Sequence, residues 1–217
     1  DKITLKYPET KQENVIDNYF GVNISDPYRW LEDPNSEATK EWVEAQNETT
    51  FGYVEKIPFR VTVENNLNEL WNYERYSVPT IKGAKTYFLK NDGLQNQPIL
   101  YVQEGKKTKE ILNPNQLQSD ARGAIGGYRF SRDGTFLAYE MADGGSDWRR
   151  IYIKNLETDE TMTDEVRWVK FSDISWANNG FYYSRYPAPE QGEELSETNE
   201  FHQVYYHQLG TKQEADK

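Results

Sequence analysis

A β-rich pattern returns about every fifty residues along the last two thirds of this 217-residue chain, in three copies. The runs Tyr87-Phe88-Leu89, Phe136-Leu137-Ala138-Tyr139 and Phe181-Tyr182-Tyr183-Ser184 align as inner strands. Each is followed by a polar connection and an outer partner, at Ile99 to Val102, Ile151 to Ile153 and Val204 to Tyr206. Tyr101, Tyr152 and Tyr205 stand 51 and 53 residues apart. Turn signals keep similar time, with Asp133-Gly134 and Asn179-Gly180 each leading into an inner strand and expected to supply the positive φ of a tight hairpin. Such a unit buries one face against the next, so three units leave faces uncovered. Regular spacing favours three β-propeller blades of about four strands over a β-sandwich. Three blades do not close a ring, and the chain reads as a piece of a larger protein whose missing blades lie beyond Lys217.

Ahead of the repeat the pattern is helical. Asp26-Pro27 predicts a turn, and Tyr28, Trp30 and Leu31 follow it with apolar surface. Asn35 or Ser36 is placed to cap a helix over Glu37 to Glu55, in which Trp42, Ala45 and Gln46 recur at helical spacing. Ile57-Pro58 ends it. A second helix fits Val61 to Trp71, with Val63, Leu67, Leu70 and Trp71 as an apolar stripe that needs a covering partner. Trp30 and Trp42 read as packing residues rather than ligand-binding aromatics, and the Glu32-Asp33 pair before Pro34 as a solvated turn rather than an acid/base pair.

Charge and composition exclude several classes. A net charge of -11 leaves no cationic surface to track phosphates, so nucleic acid is not expected as a partner. No run approaches the roughly 20 apolar residues of a membrane span, and the chain is expected to be soluble. With no cysteine there is no thiolate nucleophile or sulfur-ligated metal, and the compartment, cytoplasmic or bacterial periplasmic, stays open. Asn23-Ile24-Ser25 and Asn47-Glu48-Thr49 match the glycosylation sequon and carry little weight.

A complete active site is not found. The nearest approach to a Gly-x-Ser-x-Gly nucleophile elbow is Gly144-Gly145-Ser146-Asp147-Trp148, which lacks the last glycine and sits between two strands, so Ser146 reads as a turn residue. His202 and His207, five apart, fall on opposite faces of a strand and share neither a metal nor a catalytic task. Gly123 to Gly127 leads into a strand, unlike a phosphate loop that opens a helix. No catalytic residue, metal site or cofactor is assigned to this chain.

Several longer motifs carry a resemblance. Asp26-Pro27-Tyr28-Arg29-Trp30-Leu31-Glu32-Asp33, Lys90 to Gln97 with Leu100-Tyr101-Val102, Gly145-Ser146-Asp147-Trp148, Val169-Lys170-Phe171-Ser172 with Ser175-Trp176, and Tyr205-Tyr206-His207 with Leu209-Gly210-Thr211 resemble, in order, the amino-terminal part of the prolyl oligopeptidases. The resemblance runs from Tyr7 to the end of the chain. It implies a serine peptidase that hydrolyses short peptides on the carboxyl side of proline, with an α/β-hydrolase domain built from both ends of the polypeptide and a seven-bladed propeller inserted between them. On that pattern residues 1–70 resemble the amino-terminal helical arm that packs on the hydrolase domain, and residues 71–217 the first three blades, the third incomplete. The family's catalytic triad, oxyanion donors and proline pocket belong to the carboxy-terminal part.

Two substrate-binding residues follow from the resemblance. Phe171 matches an aromatic that lines a subsite upstream of the proline, and Asp147 lies in a segment that faces the central cavity, where an acid attracts a peptide's amino terminus. The competing readings are a blade-core aromatic at Phe171 and a turn cap at Asp147. The acidic stretch from Pro187 to His202 matches a mobile loop and is expected to control access. The implied partners are the remainder of the same polypeptide and short proline-containing peptides. The alternatives are a non-catalytic propeller that binds peptides or proteins, and a related peptidase that cleaves after basic residues.

Overall fold

The computed structural model describes residues 5–117, 123–142 and 146–217. Two compact units form, Asp1–Glu69 and Leu70–Lys217.

The first unit opens with a short antiparallel hairpin, β1 (Ile16–Tyr19) and β2 (Val22–Ser25), where the sequence predicted only helix and turn. Its two-residue turn places both Phe20 (φ 53) and Gly21 (φ 88) in the left-handed region. A primed turn of this kind matches strand twist, and here it does so without the usual Asn-Gly or Asp-Gly signal. A single 3-10 turn at Arg29–Glu32 follows, with the Arg29 guanidinium bridging Asp26 and Asp17. Helix α1 spans Glu37–Val54, and Ser36 is its cap, its hydroxyl accepting from the Thr39 N–H at 3.2 Å. Trp30 and Trp42 are half-buried, their indole N–H groups donating to the Lys11 carbonyl and the Thr10 hydroxyl. Helix α2 (Arg60–Trp71) leaves Leu67, Leu70 and Trp71 at least half exposed.

The second unit is sheet. Strands β3 (Arg75–Tyr76), β4 (Thr80–Lys82), β5 (Lys85–Asn91), β6 (Ile99–Glu104) and β7 (Lys107–Leu112) form the first blade, followed by the helical turn α3 (Pro114–Leu117). Strands β8 (Ala124–Phe130), β9 (Phe136–Ala142), β10 (Arg149–Asn155) and β11 (Thr161–Val169) form the second. The third holds β12 (Ser175–Ala177), β13 (Gly180–Arg185) and β14 (Gln203–Gln208). Two of these blades are continuous with one another. A single registered pair, Val169 with Arg185, joins β11 to β13 and fuses the second and third blades into one seven-stranded sheet.

Period-two alternation on β9 explains how the blades stack. Leu137, Tyr139 and Met141 join Tyr87, Leu100 and Leu112 of the first blade in one core, while Ala138 points the other way into a core with Ile151, Ile153, Val166, Phe181 and Tyr183. One strand thus belongs to two interfaces. The outward face of the third blade carries Tyr182 and Val204, 48 % and 69 % exposed, and that of the first carries Tyr76, 57 % exposed. This is the curled, blade-by-blade arrangement of a β-propeller.

The turns are of two kinds. Before β9, Gly134 has φ 79, as its position after Asp133 predicts, and the Asp133 carboxylate accepts from the Ser131 hydroxyl and the Thr135 N–H. Before β13 the positive φ belongs to Asn178 (φ 52), not to Gly180. Gly180 is needed for space instead: a Cβ there would lie 2.0 Å from the His207 carbonyl oxygen.

Candidate functional site

The β10–β11 hairpin positions both residues singled out above. Arg149 and Val169 form the last registered pair at one end of it, so Asp147 and Phe171 each leave the hairpin two residues beyond that pair. The residues between them meet: the Lys170 ammonium lies 4.1 Å from the centre of the Trp148 ring. Lys170 is buried, and its ammonium also donates to the Asn199 side-chain oxygen at 3.3 Å. A cation held over an indole and withdrawn from water is a tight fastening for a hairpin end.

Trp148 is the hub. Trp168 and Tyr186 meet its ring edge-on at 5.6 and 6.2 Å, and its indole N–H donates to the Glu194 carbonyl at 2.6 Å. The stretch from Pro187 to His202 is therefore folded back onto the hairpin end, with His202 stacked on Tyr186 at 4.3 Å. Two cavities share the Trp148 wall. One of about 470 Å³ is lined by Tyr186, Pro187, Pro189 and residues 197–201, and one of about 360 Å³ by Arg149, Arg167, Trp168 and Leu195. Neither Asp147 nor Phe171 lines them.

Phe171 is 74 % exposed with φ 54, and Trp168, three residues earlier, has φ 63. A bulky residue in the left-handed region costs about 1–3 kcal/mol and persists where its surroundings over-determine it. The surroundings here are explicit. Before Phe171, Lys170 is held by Trp148 and Asn199, and beyond it the Ser172 hydroxyl accepts from the Ser184 N–H and Asp173 receives the Arg129 guanidinium at 2.7 Å, so chain on both sides of the phenyl ring is pinned. Within this chain the Phe171 ring stands in solvent rather than in a blade core.

The cations nearest to Asp147 in sequence have other partners. Arg149 pairs with buried Glu140 at 2.6 Å, and Arg167 with Glu165 at 2.8 Å, while among the described residues no cation pairs with Asp147, which is exposed. The adjoining turn is closed by the Ser146 hydroxyl accepting from the Trp148 N–H, so Asp147 is not its cap. Gly144 and Gly145 lie outside the described residues. Among the described residues no group of His, Asp and Glu side chains could hold a metal ion.

The histidines are far apart in environment. His202 precedes β14, whereas His207 is fully buried within it. Sequence reasoning missed Trp148, Lys170 and Tyr186 as the frame of the site. The signal available was adjacency, since Trp148 and Lys170 directly neighbour the two residues that were chosen.

Comparison with known proteins gives a consistent picture. Residues 7–217 match the family described as prolyl oligopeptidase, N-terminal beta-propeller domain. Prolyl endopeptidase of Elizabethkingia miricola is 45 % identical over 216 residues, covering 99 % of this chain and 31 % of that protein. Its counterpart from Elizabethkingia meningoseptica is 45 % identical over 215 residues, with 98 % and 30 % covered. Prolyl oligopeptidase B from Galerina marginata, bound to a 35mer hydrolysis and macrocyclization substrate, superposes with a TM-score of 0.84 at 30 % identity, over 97 % of this chain and 33 % of its own. The chain thus spans about a third of the length of the relatives it matches.

Proposed function

Because this chain belongs to the prolyl oligopeptidase family, we propose that it is the amino-terminal portion of a serine peptidase that hydrolyses short peptides on the carboxyl side of proline. Residues 1–70 serve as a helical arm against an α/β-hydrolase domain, and residues 71–217 as the first three blades of a seven-bladed propeller. The remainder of the same polypeptide supplies the nucleophile, its base and the proline pocket.

In this reading the hairpin end carrying Asp147 and Phe171 lines the approach to the scissile bond. Phe171 offers its ring to a side chain upstream of the proline, and Asp147 draws in a positively charged amino terminus. The stretch from Pro187 to His202, latched on Trp148 and Lys170, regulates entry. The observation that carries the assignment is the exposed phenyl ring of Phe171, held on a strained backbone whose neighbours are all pinned.

The test uses the full-length protein. Phe171→Ala should lower kcat/KM for peptides that extend upstream of the proline by about tenfold, the worth of one aromatic contact, and leave a minimal proline substrate nearly untouched. Equal losses on both substrates would remove Phe171 from the subsite.

A further inference from the structure

The second and third blades meet by one registered strand pair, yet the join is not left to that pair. Further along β11, Asp164 points across to β14. Its Oδ1 accepts the Gly210 N–H at 2.6 Å and lies 3.1 Å from His207 Nε2. On the other side of the ring, His207 Nδ1 lies 2.8 Å from Oδ1 of Asp216, beyond β14. The histidine is 0 % exposed, and both carboxylate side chains are 1 % exposed.

This geometry constrains the protons. A neutral imidazole donates from one nitrogen only, which would leave the lone pair of the other facing a carboxylate oxygen. Asp216 Oδ2 already accepts the Tyr183 hydroxyl at 2.6 Å, a contact that favours the ionised carboxylate. Asp164 Oδ1 accepts from Gly210, which likewise favours its ionised form, and among the described residues its Oδ2 is buried without a hydrogen-bond partner. Phe181, whose ring centre is 5.3 Å from that of His207, supplies the apolar wall. Between two ionised carboxylates, protons on both ring nitrogens satisfy both contacts.

We propose that His207 is a buried imidazolium whose two N–H groups, donated to Asp164 of β11 and to Asp216 beyond β14, form the joint that holds the third blade against the second. The proposal rests on this chain's own packing and is independent of which substrate the full-length protein cleaves. Gln213 extends the joint: its side-chain amide donates to the Arg167 carbonyl and accepts the Arg167 N–H, tying the segment after β14 to β11 a second time. Removing one member of a buried ionic set leaves the rest uncompensated, so such a joint fails sharply when altered.

Two measurements on the full-length protein test it. Neutron diffraction from deuterium-exchanged crystals should show deuterons on both Nδ1 and Nε2 of His207 and none on Asp164 or Asp216. A bare ring nitrogen, or a deuteron on either carboxylate, overturns the imidazolium. Asp164→Asn and Asp216→Asn should each raise backbone amide exchange in β14 and residues 210–217 by at least about tenfold while leaving β5 and β6 unchanged. Unchanged exchange at the joint, or equal loosening of both regions, overturns its role as a joint. The neutron result needs only the unaltered protein and decides the charge even if a variant does not fold.

Discussion

Lys170 presses its ammonium on the Trp148 indole and thereby ties the strand that begins after Asp147 to the one that ends before Phe171. Two residues recognised separately in the sequence are thus held by a contact between their neighbours.

Lys170→Met keeps the aliphatic stem and removes the cation. Loss of a desolvated cation–π contact and of the bond to Asn199 should destabilise by about 1–2 kcal/mol. Chemical denaturation measures the loss, and a red shift of tryptophan emission would report water reaching Trp148. No change in either would show that the stem alone matters.

Phe171→Gly separates strain from function. Glycine relaxes the left-handed backbone at φ 54, and the lost ring is mostly exposed, so thermal stability should hold or rise by about 1 kcal/mol. A clear fall in Tm would mean that the ring supports the fold.

Gly180→Ala should be among the most damaging single changes in the third blade. The added methyl would sit 2.0 Å from a carbonyl oxygen of the paired strand, and separating β13 from β14 costs about 2 kcal/mol or more. Unfolding curves that overlay those of the parent would exclude the close approach.

Asp159 bridges two blades, with Lys109 of β7 and Lys154 of β10 holding its carboxyl below the ordinary value of 3.8, the Lys109 hydrogen bond first. A carboxyl more acidic when folded contributes stability that is fully present above its unfolded value and lost as pH falls through the folded one. Asp159→Asn should therefore flatten the loss of stability below about pH 4, and added salt should shrink the difference because the pair is partly exposed. An identical acid profile for parent and variant would discount the bridge.

Tyr183→Phe removes the hydroxyl that satisfies Asp216. A buried oxygen left without its donor costs about 1–3 kcal/mol. Burial and the hydrogen bond to Asp216 raise the phenol above its ordinary value of 10, so its contribution is present below pH 10 and lost as pH rises further. Ultraviolet titration of the parent should show one more late-ionising tyrosine than the variant shows.

Blades were legible because they obey a period. Leu137, Tyr139 and Met141 alternate with Ala138, and the Asp133-Gly134 turn has the φ its residues predict. Helix α1 was legible from Ser36 and the spacing of Trp42, Ala45 and Gln46. The β1–β2 hairpin escaped because its turn uses Phe20-Gly21 and its strands bury little, leaving neither a turn signal nor a core stripe. The frame of the site escaped for another reason. Trp148 finds Glu194 and His207 finds Asp164 across more than forty residues, and polar pairs at such range have no periodicity to betray them. Phe171 was chosen by resemblance alone, since no spacing argument distinguishes an exposed ring from a buried one.

The amide of Gln213 has a further effect where β11 runs beside no complete partner. Arg167 would otherwise present one donor and one acceptor at a sheet margin, the template on which stray extended chains accumulate. With both already engaged by a side chain from the same molecule, Arg167 keeps neither backbone group free for a foreign strand.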